Sequence, residues 1–159
     1  MRADDAAFFT LSTFAVNVIA LTEELFPRKI DIYAEMLEKT LRVEQSENVI
    51  YLYTHIMLCE SRFYHQEIRD HQELYLRALK SCDEIIAKYY NDISLDMKFE
   101  FLVCSKMLDY NARTIDSIRA EANRHKNEFV RDPRKPERLN TFDGSEHRNV
   151  LYVMSGLDV

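Results

Sequence analysis

Two glutamates stand where a helix buries apolar side chains, and a carboxylate in such a place is either a reagent or half of a pair. Glu60 lies in the stretch 46–65. At roughly 100° of rotation per residue, Val49, Tyr53, Ile56, Met57, Phe63 and Tyr64 fall within about 60° of it. Glu100 repeats the pattern: Met97, Phe101, Val103, Cys104, Met107 and Leu108 lie within about 100°, with Lys98, Ser105, Lys106 and Asp109 on the opposite side. An ionised carboxylate removed from water either neutralises or acquires a partner. In one reading, Glu60 and Glu100 line an internal polar site. That site would hold a small cationic or metal ligand, or supply a general acid or base of raised pKa. In the other, each is held structurally by an arginine such as Arg62 or Arg113, or by one of nine tyrosines. Glu100 is also near the start of its helix, where the dipole favours an acid.

His55 occupies another flank of the same helix as Glu60, beside Tyr51, Leu58, Cys59 and Arg62. His55 and Cys59, four residues apart, could share a zinc ion, but a structural zinc needs two more ligands. The sequence offers no second pair of comparable spacing, so His55 is read as a half-buried, hydrogen-bonded histidine and no metal is expected. Glu67 with His71 and Glu121 with His125 lack the Glu-x-x-His spacing of di-iron bundles and read as surface pairs. The first glycine is Gly144, so no glycine-rich phosphate cradle precedes it. No cofactor is expected.

The elements that must position these residues are helices. Two glycines and three prolines in 159 residues leave too few turn formers for hairpins. The pattern predicts an all-α bundle of about six helices over 1–130. The first spans 5–26 and stops at Pro27. The second spans 29–43, and the third follows a Ser46 cap to residue 65. Asp70 and Glu73, at capping-box spacing, open a fourth that runs to 90 with the stripe Leu74, Ala78 or Leu79, Cys82, Ile85 or Ile86, and Tyr89. Ser94 caps a fifth to 110, and a peripheral sixth covers 112–130. The cores Ile56–Cys59 and Phe101–Cys104 are offset by 45 residues, so helices two to five could form two consecutive αα-hairpins, repeat-like in character. Residues 131–145, with two prolines and a glycine, read as a surface loop. Residues 146–159 read as a short element packed on the same domain. It is a helix between Ser145 and Gly156, or a strand, given the run Val150–Val153.

A net charge of −6 and the lack of a basic face argue against nucleic acid as a partner. Three cysteines without CxxC spacing, Cys59, Cys82 and Cys104, read as buried thiols of a cytoplasmic protein. Residues 6–22 carry no charge, yet Thr10, Ser12, Thr13 and Asn17 make the stretch too polar for a membrane span, and no basic leader marks a signal peptide. A helix apolar nearly all round is buried inside its own bundle or against a partner. The expectation is therefore a non-enzymatic helical protein–protein interaction module that self-associates, with the loop 131–145 as a second contact region. The alternative is a small-ligand-binding protein or small enzyme built on Glu60, Glu100 and His55.

Overall fold

A computed structural model describes residues 3–22, 32–42 and 48–157, with side chains described from 11 to 21 in the first stretch. The elements are α1 (Ala3–Thr22), α2 (Ile32–Thr40), α3 (Asn48–Glu60), α4 (Gln72–Lys88), α5 (Leu95–Met107), α6 (Ile115–His125) and α7 (Glu146–Ser155). Two short 3-10 turns, Glu137–Leu139 and Asp143–Ser145, precede α7. No strand occurs among the described residues; the nearest approach is one antiparallel bridge between Lys126 and Val130. The protein is an all-α bundle with a short C-terminal helix. Pro27 and Ser46, expected to punctuate the first three helices, lie outside the described residues.

The bundle is organised around α5, whose side chains from Met97 to Ser105 are all buried. Helices α3, α4, α6 and α7 pack on it, while α1 lies against α3. Lys98 and Ser105 were expected on an outward polar side, yet both are buried, because α6 and α7 cover the side left open by α3 and α4. The α4 stripe of Leu74, Ala78, Leu79, Cys82, Ile85 and Ile86 is buried as its periodicity requires, but Tyr89, expected to continue it, follows the end of the helix at Lys88 and is 37% exposed.

Helix ends follow local chemistry. Ser94 caps α5, its Oγ accepting from the Met97 amide at 3.5 Å. The expected Asp70–Glu73 box is replaced by His71 at the N-cap, with a left-handed φ of 54° and no side-chain capping bond. Ser145 holds the N-cap position of α7, but its hydroxyl donates to the Thr141 carbonyl at 2.7 Å. Gly156 ends that helix at φ 73°, in the left-handed region that suits glycine.

The third helix stops at Glu60, five residues short of its expected end, and Arg62, Phe63 and Tyr64 follow at φ 47°, 55° and 70°. Ser61 explains the break. Its buried hydroxyl donates to Leu58 O at 2.9 Å and accepts from the Tyr64 amide at 3.1 Å, offering the backbone an alternative to another helical turn. Phe63 and Tyr64 consequently leave the face they would have shared with Glu60.

The segment 131–145 is anchored by Asp132, Asn140 and Ser145, all buried. Asn140 exchanges a pair of bonds with the Asp132 backbone and accepts from Arg148 at 3.0 Å. A run rich in proline and charge thus becomes a fixed strap between α6 and α7.

Candidate functional site

Glu100 sits in the middle of α5, buried, where α3 and α7 meet it. Its Oε2 accepts from Thr54 Oγ1 of α3 at 2.9 Å, and its Oε1 faces His147 Nε2 of α7 at 3.3 Å. His55 Nδ1 lies 2.8 Å from the Tyr51 carbonyl and 3.8 Å from Glu100 Oε2. Both neighbours are acceptors, so Nδ1 is the ring nitrogen that donates towards them. The structure thus brings two of the three expected residues, Glu100 and His55, into one cluster.

The bond to Glu100 raises the His147 pKa, with Glu100 and Asp96 charge adding to it and burial and Arg148 opposing it. Burial, then the charges of Glu100 and Asp96, push Tyr51 up to about 12. The expected arginines are elsewhere: Arg113 approaches Asp83 at 3.9 Å, and Arg62 is exposed in the left-handed turn. Among the described residues no lysine or arginine pairs with Glu100. Its one chargeable hydrogen-bond partner is His147, whose side chain is 68% exposed.

Glu60 does not join this cluster. It is the last residue of α3 and only partly buried, with Gln66 Nε2 donating to its carbonyl at 2.8 Å. Thr54 and Glu60 are six residues apart, so about 120° of rotation and ~9 Å of rise separate the side that meets Glu100 from the side that carries Glu60. His55 and Cys59 also diverge, since the Cys59 thiol points to Asn17 Oδ1 of α1 at 3.9 Å. Among the described residues, no group of three His, Cys, Asp or Glu side chains is arranged to hold a metal ion.

A second buried polar group joins α5, α6 and the strap. Lys98 Nζ reaches Glu121 Oε2 at 2.8 Å and lies 3.7 Å from the centre of the Tyr90 ring. Arg134 binds the other Glu121 oxygen, and its NH1 meets Asp132 Oδ1 at 2.8 Å. Asp132 Oδ2 also accepts from the Leu95 amide at 2.7 Å. Burial drives the Lys98 pKa down, with Glu121 partly offsetting it. Burial opposes ionisation of Glu121 and Asp132 too, but the hydrogen bonds they accept prevail and hold both below the usual carboxylate range. Glu121 is therefore no surface partner of His125. Rotation carried the signal for it: Glu121 lies about 60° from Ile118 on the buried face of α6. With every charge met by an opposite one, this group fastens elements rather than receiving a ligand.

The surface carries two apolar features. On α1, Leu11, Phe14, Val18 and Leu21 are 67%, 67%, 41% and 73% exposed. With exposed Ala15 they fill one arc of about 120°. Ser12, Thr13, Asn17, Ile19 and Ala20, all partly buried, occupy the other half with buried Val16, towards α3. The outward arc is wholly apolar, while the inward half mixes apolar and polar side chains. Beside α7, a groove of about 500 Å³ is lined by Phe129, Phe142, Val150, Tyr152, Val153 and Met154, with Lys126, Glu128, Glu146 and Asn149 completing its walls. Phe142, Val150 and Val153 are 75%, 50% and 60% exposed. No helix among the described residues is long and apolar enough to cross a membrane.

Residues 16–158 match a family described as a domain of unknown function, DUF3541. No curated protein and no solved structure matches the chain.

Proposed function

The chain belongs to the DUF3541 family, and we propose that it is a non-enzymatic helical protein–protein interaction module that self-associates through the exposed face of α1. The observation that carries this reading is the exposed apolar stripe of α1. Leu11, Phe14, Val18 and Leu21 recur at intervals of three and four, the spacing of a helix seam that packs on another protein surface. Fully burying a side chain of this kind is worth about 1.5–3 kcal/mol. Leaving four adjacent ones in water forgoes several kcal/mol that association recovers. The absence of charge over residues 6–22 offers no ionic code for a different partner, and a second copy supplies apolar surface of the same character. A net charge of −6 disfavours nucleic acid as a partner. Three buried thiols, Cys59, Cys82 and Cys104, fit a cytoplasmic setting. Sedimentation equilibrium tests the proposal. The mass should rise with concentration, and Phe14→Glu should suppress the rise; a wild-type chain that stays monomeric at every concentration overturns it.

A second reading, a small-ligand-binding protein or small enzyme, is favoured by one observation. Glu100 is buried with a neutral hydroxyl and an exposed imidazole as its hydrogen-bond partners. Glu60, partly exposed at the end of α3, falls away from that reading, and Glu100 with His55 remains. Glu100→Gln separates the alternatives. A variant at least as stable as wild type supports a site kept for a ligand, whereas a destabilised one makes the group a fastening for α7.

A further inference from the structure

Three consecutive residues after α3, Arg62, Phe63 and Tyr64, hold φ of 47°, 55° and 70°. A left-handed conformation costs a residue with a Cβ a factor of about 5–30 in population, and helix ends normally assign it to a single glycine or asparagine. No glycine stands at any of these positions, and the first in the chain is Gly144. The apolar pattern of α3 meanwhile runs on to residue 65, with neither glycine nor proline between 48 and 71. We infer that residues 61–65 are a conformational switch with two forms: the left-handed turn, which holds Tyr64 near the junction of Thr54, Glu100 and Cys104, and a helical continuation of α3, which withdraws it. On the second reading above, the switch regulates access to Glu100; the switch itself stands without that reading.

Few bonds separate the two forms. In the turn, the buried Ser61 hydroxyl bridges Leu58 O and the Tyr64 amide. The Phe63 amide donates to Leu58 O at 2.8 Å and the Gln66 amide to Ser61 O at 3.0 Å, while His65 Nδ1 lies 3.0 Å from both the Arg62 and Phe63 carbonyls. A continued helix would give these backbone groups partners four residues away and relieve three left-handed residues together. It would lose the Ser61–Tyr64 bond and the packing of Tyr64. These opposing terms are comparable, the condition under which a second form is populated. Residues 66–71 would remain to reach α4, and six extended residues span about 20 Å.

Tyr64 is the side chain that the exchange moves. In the turn it is partly buried and packs on the core, and burial, then the charges of Cys104 and Glu100, push its phenol pKa up. Both of those groups are tied to Thr54: the Cys104 thiol donates to its carbonyl at 3.8 Å, and its hydroxyl donates to Glu100 at 2.9 Å. On a continued helix Tyr64 would lie about 15 Å beyond Thr54 along the axis, farther than a tyrosine side chain reaches back.

Relaxation-dispersion and saturation-transfer NMR on the full chain test the switch. Residues 61–65 should exchange with a minor form, roughly 0.1–10% populated, whose Cα and Cβ shifts are those of a right-handed helix. The amides of Thr54 and Cys104 should exchange at the same rate. Ser61→Ala removes the bridging hydroxyl and suits a helix interior, so it should raise the helical population at least ~5-fold. Arg62→Gly and Phe63→Gly, both at exposed positions, ease the turn and penalise the helix, so each should lower it at least ~5-fold. The glycine variants keep the test decisive if Ser61→Ala fails to fold. Absence of exchange at 61–65 in the wild type, with left-handed shifts kept in Ser61→Ala, would overturn the switch. So would a minor form with random-coil shifts, which is fraying, or exchange that vanishes in Phe14→Glu, which is association. Exchange confined to 61–65, without Thr54 and Cys104, would refute the role of Tyr64 at the junction. Failure of the ligand reading is seen separately, in the stability of Glu100→Gln, because that substitution leaves every bond within 61–65 in place.

Discussion

Replacing Glu121 by glutamine should destabilise the fold by an amount that shrinks as the pH rises. In the wild type one carboxylate serves two cations, Lys98 at 2.8 Å and Arg134 on its other oxygen. Glutamine keeps the volume but has one acceptor, so its NH2 group is turned against a donor and the fully buried Lys98 side chain loses its counter-charge. Removing one partner of a buried pair costs about 3–5 kcal/mol. Lysine has an escape that sets a ceiling, for it can release its proton. Between pH 7 and the pKa of about 10.4 of a free lysine, that release costs ~4.6 kcal/mol, and the ceiling falls by about 1.36 kcal/mol per pH unit to ~1.9 kcal/mol at pH 9. Burial already pushes the Lys98 pKa down, so the variant is expected near this ceiling. The sign follows from proton counting: in this range the variant's unfolded chain binds a proton that its folded Lys98 has lost, so its stability rises with pH. Urea unfolding followed by circular dichroism should give a loss of about 3–4 kcal/mol at pH 7 and ~2 kcal/mol or less at pH 9. A loss below ~1 kcal/mol at pH 7, or one unchanged at pH 9, would refute the claim that Glu121 keeps Lys98 charged inside the bundle.

Lys98→Met leaves Glu121 its bond to Arg134 and fills the same channel, so its cost should be about 1–2 kcal/mol, smaller than that of Glu121→Gln in the same urea assay. Asp83 accepts from Tyr110 Oη, the Arg113 and Thr114 amides and Thr114 Oγ1, at 3.2, 2.9, 3.3 and 2.6 Å. Asp83→Asn turns an NH2 group on these donors and should cost about 2–3 kcal/mol in chemical denaturation; equal midpoints and slopes would contradict the role. The raised pKa of His147 makes its bond to Glu100 stabilising below the unfolded imidazole value, a contribution lost as pH climbs through the folded value. Because the ring is largely exposed, only about 0.5 kcal/mol should separate wild type from His147→Asn near pH 6, vanishing by about pH 8. An NMR titration midpoint below that of a free histidine would contradict this. At Gly144, an added Cβ would meet the Arg138 carbonyl at 2.5 Å and Thr141 Oγ1 at 2.9 Å. Gly144→Ala should therefore lower stability by about 1–3 kcal/mol, read as a fall in thermal midpoint.

The amino-acid sequence by itself determined the fold class and most of the helix register. Scarce glycine and proline excluded a hairpin-rich chain, and rotation at helical pitch located the α4 stripe, Ser94 as a cap, and Glu100 as an acid among apolar neighbours. These are local facts, because a helix satisfies its own backbone and repeats its faces within a few residues. Tertiary structure decided which distant groups meet. His147 and Thr54, not an arginine, bond to Glu100 across 47 and 46 residues, and Lys98 turned inward because Glu121 arrives from α6. Phe63 and Tyr64 left the face of Glu60 because one buried serine hydroxyl ended α3. Charge pairing acts through space, and periodicity along the chain carries no record of what will come to lie opposite.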